Sequence, residues 1–302
     1  MQVGKSRRFT IMSAASMLKM LSCLGHGWAQ TLNGPYGLAL DAKGNLYVAN
    51  MNSDQVLVYN PNYLLQTTKS ITSGLSAPTG VAFDSKGNVY VANFNTNSVT
   101  QYSPAGVLNT RFSISGLAGP LAMAVDGVDD LYVLNSGSSI TNVYPLADTI
   151  NGPNLLTSFT PSGSPFAYAI AVHAGDLYIG TTADWEKGFI SELLAGGGRF
   201  PVIQSTNGFV VALATDGAGD LYVGSCVLAD PFECLIDPVT PPIYEVDFWS
   251  PKGGPVVFLK QLGFAPAGMV VDSARGRVYL SNHHGNQVLV YSTTGTLLHT
   301  IQ

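Results

Sequence analysis

The chain has 302 residues and a formal net charge of -5, and only 11% of its residues are charged, against about 25% in an average soluble protein. Lys and Arg are scattered beyond the first twenty residues, so no basic stripe exists to neutralise phosphates, which excludes nucleic acid as a partner. The length exceeds that of a common single domain, yet large all-β folds reach it as one unit.

At the N-terminus, Lys5, Arg7 and Arg8 precede an apolar stretch from Phe9 to Leu24, and "GWA" ends at Ala29 with small residues at both key positions. This is the pattern of an export signal over residues 1–29, cut after Ala29, and it predicts a secreted or periplasmic protein. The stretch is interrupted by Lys19 and is shorter than the ~20 apolar residues a membrane span needs; nothing later is apolar enough either, so no transmembrane segment is expected. "SRRFT" partly resembles a twin-arginine signal, with imperfect spacing to Phe9, and "MLSC" is a distant relative of a lipobox, which leaves a lipid anchor at Cys23 as an alternative. Cleavage removes Cys23. Cys226 and Cys234 then remain in an oxidising compartment, where one disulfide between them is expected; the alternative is two unpaired buried thiols.

Six copies of one phrase follow. "GNLYVAN" (44–50) returns as "GNVYVAN" (87–93), then as "DDLYVLN", "GDLYIGT", "GDLYVGS" and "GRVYLSN". The tyrosines of these phrases, Tyr47, Tyr90, Tyr132, Tyr178, Tyr222 and Tyr279, lie 43, 42, 46, 44 and 57 residues apart. Such a period, with several short apolar runs per unit and no 3.6-residue rhythm, is the signature of propeller blades. In the first unit "GLALD" (37–41) reads as the inner strand, "NLYVAN" (45–50) as the second, "QVLVY" (55–59) as the third and "LLQTTKSI" (64–71) as the outer. "DAKGN" and "DSKGN" supply the Asp, Gly and Asn of tight hairpins, and the repeated acids Asp41, Asp84, Asp126, Asp216 and Asp272 read as turn formers. The second strand is apolar on both faces, Leu46 and Val48 on one and Tyr47 and Ala49 on the other, so it must be covered on both. Inner strands carry small residues at alternate places, Gly37 and Ala39, Gly80 and Ala82, Ala122 and Ala124, which suit a wedge narrowing toward an axis.

"GPYGLALDAKGNLYVANMNSDQVLVYNPN" and "APTGVAFDSKGNVYVANFNTNSVTQYSPAG" resemble NHL repeats, the units of six-bladed propellers. The resemblance extends over nearly everything after the leader and is eroded in units four and five. It implies an all-β, six-bladed β-propeller of four-stranded antiparallel blades over residues 30–302, with blades at about 34–74, 75–117, 118–162, 163–206, 207–262 and 263–302. Blade five carries an insertion, "SCVLADPFECLIDPVTPP", expected as a surface loop pinned by the Cys226–Cys234 bridge. The last outer strand, "TLLHTI", reaches the C-terminus, so closure without a strand borrowed from residues 30–36 is expected.

Because strands alternate in direction, the loops entering inner strands share one face with those joining second to third strands, and a ligand is expected there. Tyr36, Phe166, Tyr168 and Phe209 either wall a shallow pocket or, as the favoured alternative, pack the rim. Asn50, Asn93, Asn135 and Asn282 end second strands and form a ring of amides able to hold a sugar, a peptide or a cation; turn capping is the favoured alternative for most of them. "TTADWEKG" brings Asp184, Trp185, Glu186 and Lys187 to that face as the first choice for ligand contact. His283 and His284 invite a metal reading, but no third imidazole reaches them, since His173 belongs at the far end of its strand and His299 on an outer strand.

No catalytic constellation assembles from these residues. The reading is therefore a secreted, non-catalytic, monomeric propeller binding a protein, peptide or glycan through its loop face, with no cofactor beyond a calcium ion at the central mouth. The alternative is a lyase or metal-dependent lactonase or hydrolase, since similar propellers include streptogramin-type lyases and gluconolactonase-like enzymes; Glu186 and His284 would be its acid/base pair. An architectural envelope protein is a third reading.

Overall fold

The computed structural model describes residues 30–146, 153–160, 166–184, 187–194, 202–206, 208–226, 244–250, 254–259 and 262–302. The chain divides into Met1–Thr31 and Leu32–Gln302, and the second unit is all β. Its described residues form six antiparallel sheets. Blade one holds β1 (Pro35–Leu40), β2 (Leu46–Asn50) and β3 (Gln55–Tyr59); blade two holds β4 (Pro78–Phe83), β5 (Val89–Asn93) and β6 (Ser98–Tyr102). Blade three runs β7 (Pro120–Val125), β8 (Asp130–Asn135), β9 (Ile140–Pro145) and β10 (Thr157–Phe159). Blade four runs β11 (Phe166–His173), β12 (Asp176–Asp184), β13 (Lys187–Leu193) and β14 (Val202–Thr206). Blade five runs β15 (Phe209–Thr215), β16 (Leu221–Cys226), β17 (Tyr244–Ser250) and β18 (Gly254–Leu259), and blade six β19 (Pro266–Asp272), β20 (Arg277–Asn282), β21 (Gln287–Ser292) and β22 (Leu297–Ile301). The innermost strands adjoin in a closed cycle, β1 to β4, β7, β11, β15, β19 and back to β1, which makes the fold a β-propeller.

Two blades depart from the expected four strands. In blades one and two the outer line is reduced to isolated bridges, Tyr59 to Leu65 and Val56 to Ile71, then Tyr102 to Leu108 and Val99 to Ile114. Residues 65–71 face only residues 56–59, and the surplus forms a turn in which the Lys69 and Ser70 N–H groups donate to the Gln66 carbonyl at 3.0 and 3.1 Å. Ser70 compensates by accepting the Val58 N–H on its hydroxyl at 3.2 Å.

The two-faced second strand behaves as its composition requires. Leu46 and Val48 belong to the cluster between blades six and one, with Tyr279, Val288 and Ile301, whereas Tyr47 and Ala49 join Val81, Val89 and Tyr102 between blades one and two. Each of the other seams holds a comparable cluster, so the hydrophobic free energy sits between blades rather than within them. The hairpin acids are turn formers: Asp84 accepts the Lys86 and Asn88 N–H groups at 3.0 and 2.8 Å and takes the Tyr90 hydroxyl at 3.0 Å. Asp126 repeats the arrangement with Val128, Asp130 and Tyr132. Gly44 and Gly87, both at φ +79, occupy the left-handed position that these hairpins require.

The ring closes without strand exchange. Residues 32–34 add no strand to blade six, whose outermost strand is β22, but Leu32 packs into the seam and the Gly34 N–H donates to Asn286 Oδ1 at 2.7 Å. On the opposite side of the sheets Arg277 of blade six donates to the Pro61 carbonyl at 2.8 Å and lies 5.0 Å over the Tyr63 ring, which itself stacks on His299 at 4.3 Å.

Near the axis the blades approach backbone to backbone. A Cβ on Gly268 would overlap the Tyr36 carbonyl oxygen of the next blade, and one on Gly37 would overlap that of Thr79. Gly268→Ala is therefore expected to destabilise the protein by about 1–3 kcal/mol in urea titrations, through forced separation of blades six and one. An unchanged midpoint would contradict this packing.

Candidate functional site

The site originates in an irregularity common to all inner strands. Each pairs regularly with its second strand except near its start, where the register shifts between Pro35 and Leu38, Pro78 and Val81, Pro120 and Ala122, Ala167 and Ala169, Val210 and Ala212, and Pro266 and Gly268. A β-bulge places an extra residue where the ladder has no partner for it and re-aims its side chain. The extra residues are Tyr36, Thr79, Leu121, Tyr168, Val211 and Ala267, and all but Thr79 line one cavity at the mouth of the axial channel. Thr79 instead turns its hydroxyl to the Pro120 carbonyl of the next blade at 2.8 Å.

This cavity encloses about 240 Å3. Phe94, Ser136, Phe209, Ala265, Pro266, His283 and His284 complete its described wall, so five of the blades contribute a bulge residue and turns of blades two, three and six supply the upper rim. A narrower space of about 60 Å3 runs down the axis below it, sharing Tyr36, Leu121, Tyr168 and Val211. None of the described lining residues is Asp or Glu. Tyr36 and His283 meet edge to face at 5.7 Å across the seam of blades one and six, and His283 meets His284 in the same way at 5.2 Å.

Burial dominates the electrostatics. It pushes the Tyr36 phenol up to about 12, with nearby Tyr168 adding to the effect, and raises Tyr168 as well. His283 is held below the ordinary histidine range, first by burial and then by His284, against a weaker opposing pull from the Gly34 and Pro35 backbone. Its Nδ1 is buried without a hydrogen-bond partner among the described residues. The mouth thus favours neutral phenol and neutral imidazole.

The residues expected at the site separate into distinct groups. Tyr36, Tyr168, His283 and His284 converge on the cavity, as does Phe209. Asn50, Asn93 and Asn135 are buried, and their side-chain oxygens accept the N–H groups of Asn33, Ser76 and Ala118 at 2.6, 2.9 and 3.1 Å. Each amide thereby ties the loop entering its own blade to the second strand, and Asn135 also closes its own turn by donating from Nδ2 to the Ile140 carbonyl at 2.9 Å. Asn282 does cap its own turn, accepting the Gly285 N–H at 2.9 Å. Asp184 ends β12 opposite Lys187, whereas Trp185 and Glu186 lie outside the described residues. Cys226 is wholly buried at the end of β16, and Cys234 is outside the described residues too.

Sequence reasoning missed Phe94, Leu121, Ser136, Val211 and Pro266. A signal for the bulge existed in the spelling "PYG", "PTG", "PLA" and "PAG", where a variable residue stands between proline and a small residue. A second missed set consists of Asp54, Asn97 and Asn286, which precede third strands in left-handed conformation at φ 51, 51 and 53. Their side-chain oxygens accept the N–H groups of Ala77, Gly119 and Gly34, each in the following blade, at 2.6, 2.8 and 2.7 Å.

The donor set of the described residues does not suit calcium. That ion takes 6–8 oxygens, yet the amide oxygens of Asn50, Asn93 and Asn135 are committed to backbone N–H groups and the cavity wall offers mainly rings and aliphatic groups. Among the described residues no group of three or more His, Cys, Asp and Glu could hold a metal, and no helix is long and apolar enough to cross a membrane.

Residues 75–102 match the NHL repeat family model. No curated protein matches the chain. Among solved structures, the Myceliophteria thermophila Cps50 (Swd1) β-propeller domain superposes with a TM-score of 0.59 at 11% identity, covering 90% of this chain and 88% of that one. Virginiamycin B lyase from Staphylococcus aureus, in a catalytically inactive form with quinupristin, gives 0.61 at 9% identity over 91% and 86% of the two chains. A chain of a nidogen/laminin complex gives 0.62 at 16% identity over 89% and 93%. At these identities the likeness establishes the fold alone.

The lowered histidine generates a pH prediction. A native state that prefers neutral His283 binds fewer protons than the unfolded chain, whose histidines titrate near 6.5. This contribution to stability is complete above that pH and is lost as pH falls below it, toward the lower native value. Urea midpoints at pH 7.5 and 5.5 are expected to drop less in His283→Gln than in wild type; an equal drop would remove His283 from this role.

Proposed function

We propose that this chain, a β-propeller bearing an NHL repeat, is an exported, non-catalytic binding module that takes a protein, peptide or glycan at the mouth of its axial channel. The observation that carries the reading is the convergence of five bulge residues, contributed by blades one, three, four, five and six, on one cavity with aromatic walls. A bulge gives up ladder pairing, and five of them at one end of the ring build a concave surface from rigid strands, as binding sites require. Export rests on the leader at residues 1–29, and in an oxidising compartment Cys226 is expected to pair with Cys234.

A second reading, a lyase or hydrolase, draws on the placement of His284 on the exposed rim of the cavity and on Glu186 as its partner acid. It ranks second because the described wall of the cavity is built mainly of rings and aliphatic groups.

A peptide and glycan array probed with wild type and with Tyr168→Ala tests binding: hits are expected that weaken about 10-fold or more in the variant, as for a central aromatic anchor. Hits unchanged by the substitution would place binding elsewhere. For the enzyme reading, any lyase or hydrolase activity surviving His284→Ala and Glu186→Ala would end that assignment. Denatured, unreduced mature protein is expected to show no free thiol.

A further inference from the structure

We infer that the group received by the mouth is a planar ring carrying one neutral hydrogen-bonding group, of the phenol or indole type. The inference rests on the mouth being the binding site and specifies the chemistry it takes. Three independent observations lead to it.

The first is size. A dry apolar cavity of about 150 Å3 accommodates benzene. The mouth, at about 240 Å3, has room for a substituted single ring or a fused pair.

The second is the wall. Tyr36, Phe94, Tyr168, Phe209 and His283 reach the cavity from five different blades and so surround it. Rings prefer offset or edge-to-face partners at centroid separations of about 4.5–7 Å. The pairs already formed, Tyr36 with His283 at 78° between planes and His283 with His284 at 82°, turn faces and edges in different directions around the space. A flat guest can meet several of these at once, whereas an aliphatic guest gains only contact area.

The third is polarity. The Tyr36 and Tyr168 phenols on the cavity wall offer neutral hydrogen-bonding partners to a guest carrying one N–H or O–H. The same desolvation that disfavours their ionisation would leave a charged guest uncompensated.

The test titrates p-cresol, indole, N-acetyl-tryptophanamide, toluene and maltose into the mature chain and follows the His283 ring protons by NMR. Saturable shifts are expected for p-cresol and indole, with at least tenfold tighter binding than toluene, and loss of both in Leu121→Trp, which fills the space from within. Ala267→Leu serves the same purpose should Leu121→Trp fail to fold. Equal binding of N-acetyl-tryptophanamide would identify a ring borne on a peptide, and binding of indole without it a free small molecule; either outcome supports the ring chemistry. Toluene binding as tightly as p-cresol would overturn the hydrogen-bonding requirement. Maltose shifting His283 and losing that effect in the filled variants, with the rings inert, would overturn the ring class while leaving the mouth as the site. Ring binding unaffected by either filled variant would overturn both.

Discussion

Crowding at the axis governs this structure. At two seams the inner strands meet backbone to backbone: Gly37 packs on the Thr79 carbonyl and Gly268 on that of Tyr36, with no space for a Cβ at either contact. Every inner strand also slips register at its start. One residue per blade is thereby released from the ladder. Small residues are thus confined to the axis while the large ones, Tyr36, Leu121 and Tyr168, collect at the mouth. The cavity is a consequence of how the ring is packed, and loops contribute only its rim.

Polar groups then lock the loops that the bulges leave behind. Asn50, Asn93 and Asn135 hold the entering loop of their own blade, and Asp54, Asn97 and Asn286 hold that of the next, so each entering segment of blades one to three is gripped from two directions. Hydrogen bonds that satisfy buried backbone donors contribute modestly when present and cost more when one partner is lost. The seam between blades six and one uses the same device through Asn286 and adds the Arg277–Tyr63–His299 stack at its outer end. These contacts, together with the apolar cluster around Leu32 and Ile301, hold the ring closed where no strand is shared.

The sequence announced the architecture clearly and the site only partly, for physical reasons. A two-faced apolar strand such as "NLYVAN" repeats in every blade, and its burial on both sides follows from composition alone. Strand direction put the aromatics Tyr36, Tyr168 and Phe209 on the loop face, but packing of the rim was the favoured reading for each, whereas all three line the cavity. The amides were harder. A polar residue ending a strand looks the same whether it faces solvent or a buried N–H, and the spacing of 17 residues between Asn50 and Asn33, or Asn93 and Ser76, carries no local signature. Leu121 and Val211 were invisible because a bulge reverses the side on which a residue points, and alternation counted through it assigns the wrong face. The outer edges of blades one and two were misjudged for a related reason: seven apolar and polar residues in a row do not reveal that only their ends pair.

The account stands or falls on the bulge residues meeting around one space. Residues 36, 121, 168 and 211 are far apart in the chain, and in a regular ladder their side chains would be shielded from one another by their own blades. Methyl and aromatic NOEs in a sample labelled at Tyr, Leu and Val measure this directly. The account predicts a connected set of cross-blade NOEs linking the Tyr36 and Tyr168 rings with the Leu121 and Val211 methyl groups. Strong NOEs from each residue only to its own blade, with none between blades, would contradict it.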